Sequence, residues 1–225
     1  MALYAIGDTH LSLASGKPMD VFGGGWEGYV DKLRAGFAQV RPEDTVVLCG
    51  DLSWAMSLEE GAQDFAFLDA LPGRKLLLKG NHDYWWNTAA KMNRFFQASG
   101  FSTLHILHNN CYEYGPYALC GTRGWFYEEK GEQKVFLREL LRLEASLKAA
   151  GERRKLCFLH YPPCYQGYAC REIMELLERY GVELCCYGHL HGRSHRLAVE
   201  GKYGLVSYRL VAADYVDFQP QKICE

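Results

Sequence analysis

The sequence predicts an α/β fold, with residues 1–225 forming a single domain. Three observations carry that reading. Short apolar runs alternate with amphipathic, charged stretches, the pattern of strands laid against helices. The 225 residues, 48% of them hydrophobic, suffice for one large core, and no low-complexity linker or internal repeat divides them. Each apolar run also ends in a glycine-rich or polar segment, which is where open α/β sheets place their ligand sites.

Taken in order, residues 3–6, 45–49, 75–79, 155–159 and 184–187 read as buried strands. Between them, Tyr29, Leu33, Phe37 and Val40 share one helical face. Ser57-Leu58-Glu59-Glu60 is a capping-box pattern opening a helix that runs past Phe65 and Leu68 to Leu71, where Pro72-Gly73 stops it. Phe136, Leu140, Leu143 and Leu147 form a third apolar stripe closed by Gly151, and Ile173, Leu177 and Tyr180 a fourth closed by Gly181. From His195 to Ile223 the pattern alternates as strands do, with a turn expected around Gly201-Lys202. The least regular stretch is 12–28, which holds Gly16, Pro18 and the run Gly23-Gly24-Gly25. A loop of that length serves function or moves. A lid carrying Lys17 to a substrate and a plain surface loop both remain open.

Charge and cysteine usage exclude several classes. Lysine plus arginine is 25 against 27 acidic residues, a net charge of -2. That balance gives no strong nucleic-acid signal and no polybasic membrane anchor, and no apolar run approaches the roughly 20 residues of a membrane span. The nine cysteines are odd in number and contain no Cys-x-x-Cys pair. Cys49, Cys157, Cys185 and Cys186 lie inside apolar runs, where free cysteine acts as a small hydrophobe. The run before Gly7-Asp8 is too short for a secretory leader. A reduced cytoplasm is the expected location, and the oligomeric state is left open.

Five strand-like runs deliver chemistry at their carboxyl ends. The first is followed by Gly7-Asp8-Thr9-His10, the second by Gly50-Asp51 and the third by Gly80-Asn81-His82-Asp83. The fourth meets His160-Tyr161-Pro162-Pro163 and the fifth Gly188-His189-Leu190-His191-Gly192. Residues two apart on extended backbone face one side, so Asp8 with His10, and His189 with His191, are each expected to aim two ligands at one point. Singly, each residue has an ordinary explanation, since Gly-Asp is common turn chemistry and a lone buried histidine is often hydrogen-bonded core. Jointly, imidazole and oxygen donors without thiolate suit manganese, iron or zinc. Seven donors are too many for one catalytic ion and suit two ions ~3.5–4 Å apart sharing a carboxylate.

The ordered set Asp-x-His, Gly-Asp, Gly-Asn-His-Asp, His, Gly-His-x-His resembles the calcineurin-like metallophosphoesterase superfamily from Asp8 to His191. Lys17-Pro18-Met19-Asp20, Gly50-Asp51-Leu52-Ser53-Trp54 and Asn81-His82-Asp83-Tyr84-Trp85-Trp86 are more narrowly similar to a bacterial group of predicted phosphohydrolases. The resemblance implies two facing mixed β-sheets flanked by helices, a four-layer sandwich. It implies that Asp8, His10 and His191 hold a first metal and Asn81, His160 and His189 a second, with Asp51 bridging. His82 would stand beside the leaving-group oxygen as general acid, with Asp83 orienting its imidazole. Leu52-Ser53-Trp54 after Gly50-Asp51 departs from the protein Ser/Thr phosphatase branch, which carries an arginine there.

The expected function is therefore a dimetal phosphoester hydrolase, acting on a small phosphorylated substrate as monoesterase or diesterase through a metal-bridging hydroxide. Manganese is the first expectation for the metal, iron or zinc the next. The alternatives are a metal-dependent nuclease and a catalytically idle interaction scaffold. Arg123, flanked by Gly121 and Gly124, and Trp54 are candidate substrate contacts. Tyr84, Trp85 and Trp86 wall the pocket or pack behind it. His105, His108 and His195 lack ligand spacing and are expected to be structural or surface residues.

Overall fold

A computed structural model describes residues 1–126 and 133–225. In chain order, β1 (Leu3–Ile6) leads through two 3-10 turns, Met19–Phe22 and Gly24–Trp26, into α1 (Tyr29–Gly36). Next come β2 (Thr45–Leu48), α2 (Ala62–Ala70), β3 (Arg74–Leu77), α3 (Ala89–Ala98) and β4 (Leu104–Ile106). The second half holds β5 (Cys111–Tyr114), β6 (Tyr117–Thr122), α4 (Gln133–Ala149), β7 (Arg154–Leu159) and a small hairpin of β8 (Cys164–Tyr165) and β9 (Tyr168–Ala169). It closes with α5 (Arg171–Arg179), β10 (Val182–Tyr187), β11 (Gly201–Tyr203), β12 (Val206–Leu210) and β13 (Gln221–Cys224).

Two mixed sheets result. The first has the order β13-β1-β2-β3-β4 and the second β11-β12-β10-β7-β6-β5. β1 to β4 are mutually parallel, as are β6, β7, β10 and β12, while β13, β11 and β5 join antiparallel at the edges. Alternation along each strand divides the core into three apolar layers. Leu3, Val47, Leu76, Leu156, Phe158 and Cys186 meet between the sheets. Tyr4, Ile6, Val46 and Leu48 face α1, α2 and α3, and Cys157, Leu159, Cys185 and Tyr187 face α4 and α5. The helix–sheet–sheet–helix sandwich is the expected fold. All nine cysteines are free thiols, and Cys49, Cys157, Cys185 and Cys186 are packed as apolar side chains.

Three local readings need correction. Ser57 Oγ does accept the Glu60 amide and Glu60 Oε2 the Met56 amide, yet the helix begins only at Ala62. The reciprocal pair closes a turn instead, with Gly61 N–H still bonded to Ser57 O and Ala62 N–H to Glu59 O. The C-terminal hairpin turns at Gly204-Leu205, because Tyr203 pairs with Val206 and Gly204 takes φ 66°, the left-handed value a two-residue hairpin loop demands of its first position. His195 lies in the 3-10 segment Gly192–Leu197, not in a strand.

Strand ends are stitched together across the sheets. Gly7 N–H donates to Val211 O, Ala213 N–H to Gly7 O and Val211 N–H to Tyr187 O. Asp8 N–H donates to Gly50 O, and Gly188 N–H to His160 O. These bonds draw the carboxyl ends of β1, β2, β7, β10 and β12 together.

Candidate active site

At that edge the expected donors form two sets. His191 Nε2 lies 3.3 Å from Asp8 Oδ1 and 3.3 Å from His10 Nε2. His160 Nε2 lies 2.7 Å from Asn81 Oδ1, 3.2 Å from His189 Nδ1 and 3.5 Å from Asp51 Oδ2. The same Asp51 Oδ2 is 3.7 Å from His10 Nε2, so it faces both sets. His189 and His191 thus serve different sets, contrary to the expectation from their spacing. The reason is backbone conformation: Asp8, His10, Asp51 and His189 all have positive φ, at 59°, 43°, 51° and 71°. Left-handed backbone turns successive side chains by other angles than an extended strand does, and costs about 1–3 kcal/mol at each such residue.

Close approach is enforced by glycine at two places. A Cβ on Gly80 would stand 2.0 Å from Asp51 Oδ1, and one on Gly188 would stand 2.2 Å from Asp8 Oδ2. In their absence His82 N–H donates to Asp51 Oδ1 at 2.8 Å, and His189 N–H reaches both Asp8 oxygens at 3.1 Å.

The donor chemistry fits cations. Cys49 O can only accept, so His160 Nδ1, 3.1 Å away, carries the hydrogen and Nε2 presents a lone pair. Burial pulls His160 and His189 down to about 3 and holds His10 well below its ordinary value, with neighbouring imidazoles adding to the effect for His10 and His189. These rings are neutral near pH 7. The His160 Nε2 lone pair therefore meets Asn81 Oδ1, the Asp51 carboxylate and the His189 ring at close range, a set rich in acceptors that a divalent cation satisfies. Burial, then the charges of Asp83 and Asp8, push the Asp51 carboxyl well above the usual range. A cation at Oδ2 reverses that pressure. His191 differs: burial opposes its charge, but Asp8 and Asp214 prevail and raise it to about 10.

The sequence profile of the calcineurin-like phosphoesterase family matches residues 1–193. The chain belongs to that family. The family is dimetal-dependent, and among the described residues the groups Asp8–His10–His191 and Asp51–His160–His189 could each hold a metal ion. Phosphopantetheinyl hydrolase from Mycobacterium tuberculosis is similar in structure, with TM-score 0.62 and 13% identity over 99% of this chain and 95% of that one. AQ665 from Aquifex aeolicus, a protein of unknown function, gives 0.56 and 18% over 98% and 95%. TT1561 of Thermus thermophilus gives 0.52 and 14% over 99% and 97%. At these identities the likeness is one of fold. No curated protein matches the chain.

A cleft of about 600 Å3 lies over the first set, lined among others by Trp26, Trp54, His82, His195 and Asp214. Segment 12–28 supplies part of its wall through Met19, Phe22 and Trp26, and Lys17 Nζ stands 5.9 Å from the Trp54 ring. Trp54 stacks on His10 with centroids 5.1 Å apart and lies 4.3 Å from the His82 ring. His82 Nδ1 is 3.4 Å from the Tyr84 hydroxyl, and burial lowers the ring's pKa.

Asp83 does not orient His82. Its carboxylate accepts the amides of Asp51, Leu52 and Gly80 at 2.7–2.9 Å, together with Trp85 Nε1 at 3.0 Å. It is fully buried and holds the Asp51 loop against the Gly80 turn. Arg123 does not line the cleft; it faces a separate cavity with Trp86. Trp85 is core, and Tyr84 is half exposed.

Sequence reasoning missed Asp214. Its Oδ1 takes the His191 Nδ1 hydrogen at 2.9 Å, its Oδ2 accepts Gly192 N–H at 3.0 Å, and His195 Nε2 lies 3.2 Å from Oδ2. The signal was present, since Leu210-Val211-Ala212-Ala213-Asp214 is another apolar run ending in an acid.

Proposed function

We propose that the protein hydrolyses small phosphomonoesters or phosphodiesters using two divalent cations. Asp8, His10 and His191 hold one, Asn81, His160 and His189 the other, and Asp51 serves both. The observation that supports this most directly is Asp51 Oδ2 standing 3.7 Å from His10 Nε2 and 3.5 Å from His160 Nε2, between two otherwise separate donor sets. Manganese suits these imidazole and oxygen donors, with iron or zinc next. When bound, the ions supply Lewis acidity to the phosphoryl oxygens and lower the pKa of the attacking water.

The chain's own residues do the rest. Cys49 O and Asp214 fix the tautomers and orientations of His160 and His191, so each imidazole aims its free nitrogen at the site. His82, anchored through its amide on Asp51, stands at the cleft wall, where a proton held on its ring reaches a departing alkoxide. Trp54 and Trp26 exclude water beside it. The cleft volume lies within the range of small-molecule sites, about 300–1,000 Å3.

The net charge of -2 speaks against a nuclease. Among the described residues no helix is long and apolar enough to cross a membrane, and nine free thiols fit a reducing cytoplasm. One panel tests the reading: p-nitrophenyl phosphate, bis(p-nitrophenyl) phosphate and single-stranded DNA, each with manganese. Hydrolysis of either nitrophenyl ester is expected. A chain that binds two manganese ions and cleaves none of the three is the idle scaffold instead.

A further inference from the structure

A second cavity, of about 300 Å3, is walled by Lys79, Trp86, Thr88, His108, Arg123 and Arg142. It adjoins the second donor set. Lys79 directly precedes Gly80-Asn81, and the Arg123 guanidinium lies 5.3 Å from the centre of the Tyr161 ring, itself 4.4 Å from the His189 ring.

Three cations meet here with little to neutralise them. Glu139 Oε2 is 3.4 Å from Arg142, but its Oε1 is occupied by the Thr122 hydroxyl and the Gly124 amide. Among the described residues neither Lys79 nor Arg123 has a carboxylate within ion-pair distance. Arg123 Nε and His108 Nδ1 are enclosed and make no hydrogen bond. Arg142 shares Glu139 and Arg123 donates to the Tyr161 hydroxyl at 3.4 Å, so an anion that joins the cavity supplies the carboxylate-like partner that Lys79 and Arg123 lack. A planar guanidinium beside an ammonium matches phosphate oxygens in geometry and charge. The amino end of α3, capped by Thr88, adds the favourable end of its dipole.

We propose that this cavity binds a phosphate dianion, and that on the substrate it is a second phosphate distal to the scissile ester. The substrate half of the proposal rests on the hydrolase reading above. Inorganic phosphate is the first probe, titrated calorimetrically into the full chain stripped of metal with chelator. One phosphate is expected to bind, at least tenfold more weakly in Lys79→Gln/Arg123→Gln. Arg142→Gln alone, on a half-exposed side chain, guards against a folding defect and is expected to weaken binding in the same direction. No phosphate binding by the unaltered chain, or equal binding by all three proteins, overturns the site.

The second arm compares adenosine 3′,5′-bisphosphate with adenosine 5′-monophosphate at the manganese-loaded enzyme. If the anion belongs to the substrate, the ratio of the two kcat/KM values falls at least tenfold in the double variant. A ratio that stays constant while phosphate binding is lost overturns the substrate assignment and leaves free phosphate as the ligand. Failure to cleave either nucleotide overturns the substrate assignment for this class, while the nitrophenyl esters decide the hydrolase reading and the phosphate titration decides the cavity.

Discussion

Asp214 offers the sharpest test of how the first metal is held. Its side chain is only 5% exposed, and its two oxygens have separate duties, one on His191 Nδ1 and one on the Gly192 amide. Asp214→Asn keeps the shape and removes the charge. The single remaining oxygen serves the imidazole or the amide, and the NH2 group then confronts a donor at the other. The Gly192 amide is exposed and water can take the place of its lost acceptor, so the substitution falls mainly on the His191 imidazole. Loss of a carboxylate behind a ligating imidazole weakens metal binding by about 10- to 100-fold, or about 1.4–2.7 kcal/mol. Manganese titration of the stripped chain should therefore show one of two ions weakened by that factor while the other, held by Asn81, His160 and His189, stays close to its original affinity. Two undisturbed ions would show that Asp214 does not position His191. Equal loss of both would show a general collapse of the edge, which the melting temperature of the metal-free variant would also report.

His82→Ala is expected to keep both manganese ions and lose about 100- to 10,000-fold in turnover of phenyl phosphate, whose phenolate is a poor leaving group that needs the proton; full activity would remove the general-acid role. Asp51→Asn is expected to lower metal content below two ions per chain by elemental analysis, and unchanged occupancy would remove the bridge. Lys75 tests the fold rather than the site: it is fully buried, its Nζ donates to the carbonyls of Asp69 and Leu71, and burial pulls its pKa to about 8, with Asp69 partly opposing. Because the folded value lies below the unfolded 10.5, the penalty for the buried ammonium is complete below pH 8 and is relieved as pH rises towards 10.5. Relative to Lys75→Met, the unaltered chain should gain about 3 kcal/mol across that window in urea unfolding under reducing conditions. A pH-independent difference between the two would refute the assignment.

What the sequence made legible follows from where backbone and side chain act together. The parallel central strands are buried on both faces, so they appear as apolar runs, and their carboxyl ends must emerge along one edge. That alone brings Asp8, Asp51, Asn81, His160 and His189 into one neighbourhood. Edge elements carry no such mark. β5 is mostly half-exposed and α3 buries only Met92 and Phe96, so neither has a full apolar period to read. The resemblance carried the grouping of ligands, but spacing alone misplaced His189 beside His191, for another reason. The grouping depends on left-handed φ at four non-glycine residues, which Asp and His tolerate better than most side chains but which the hydrogen bonds of the folded edge must sustain. Asp214 and the Lys79–Arg123–Arg142 cavity show the same division. An acid at a strand end is visible in sequence once the strand is recognised. Three cations from separate segments become one site only when the two sheets are stacked, so chemistry built across the sandwich is legible in the fold and not in the chain.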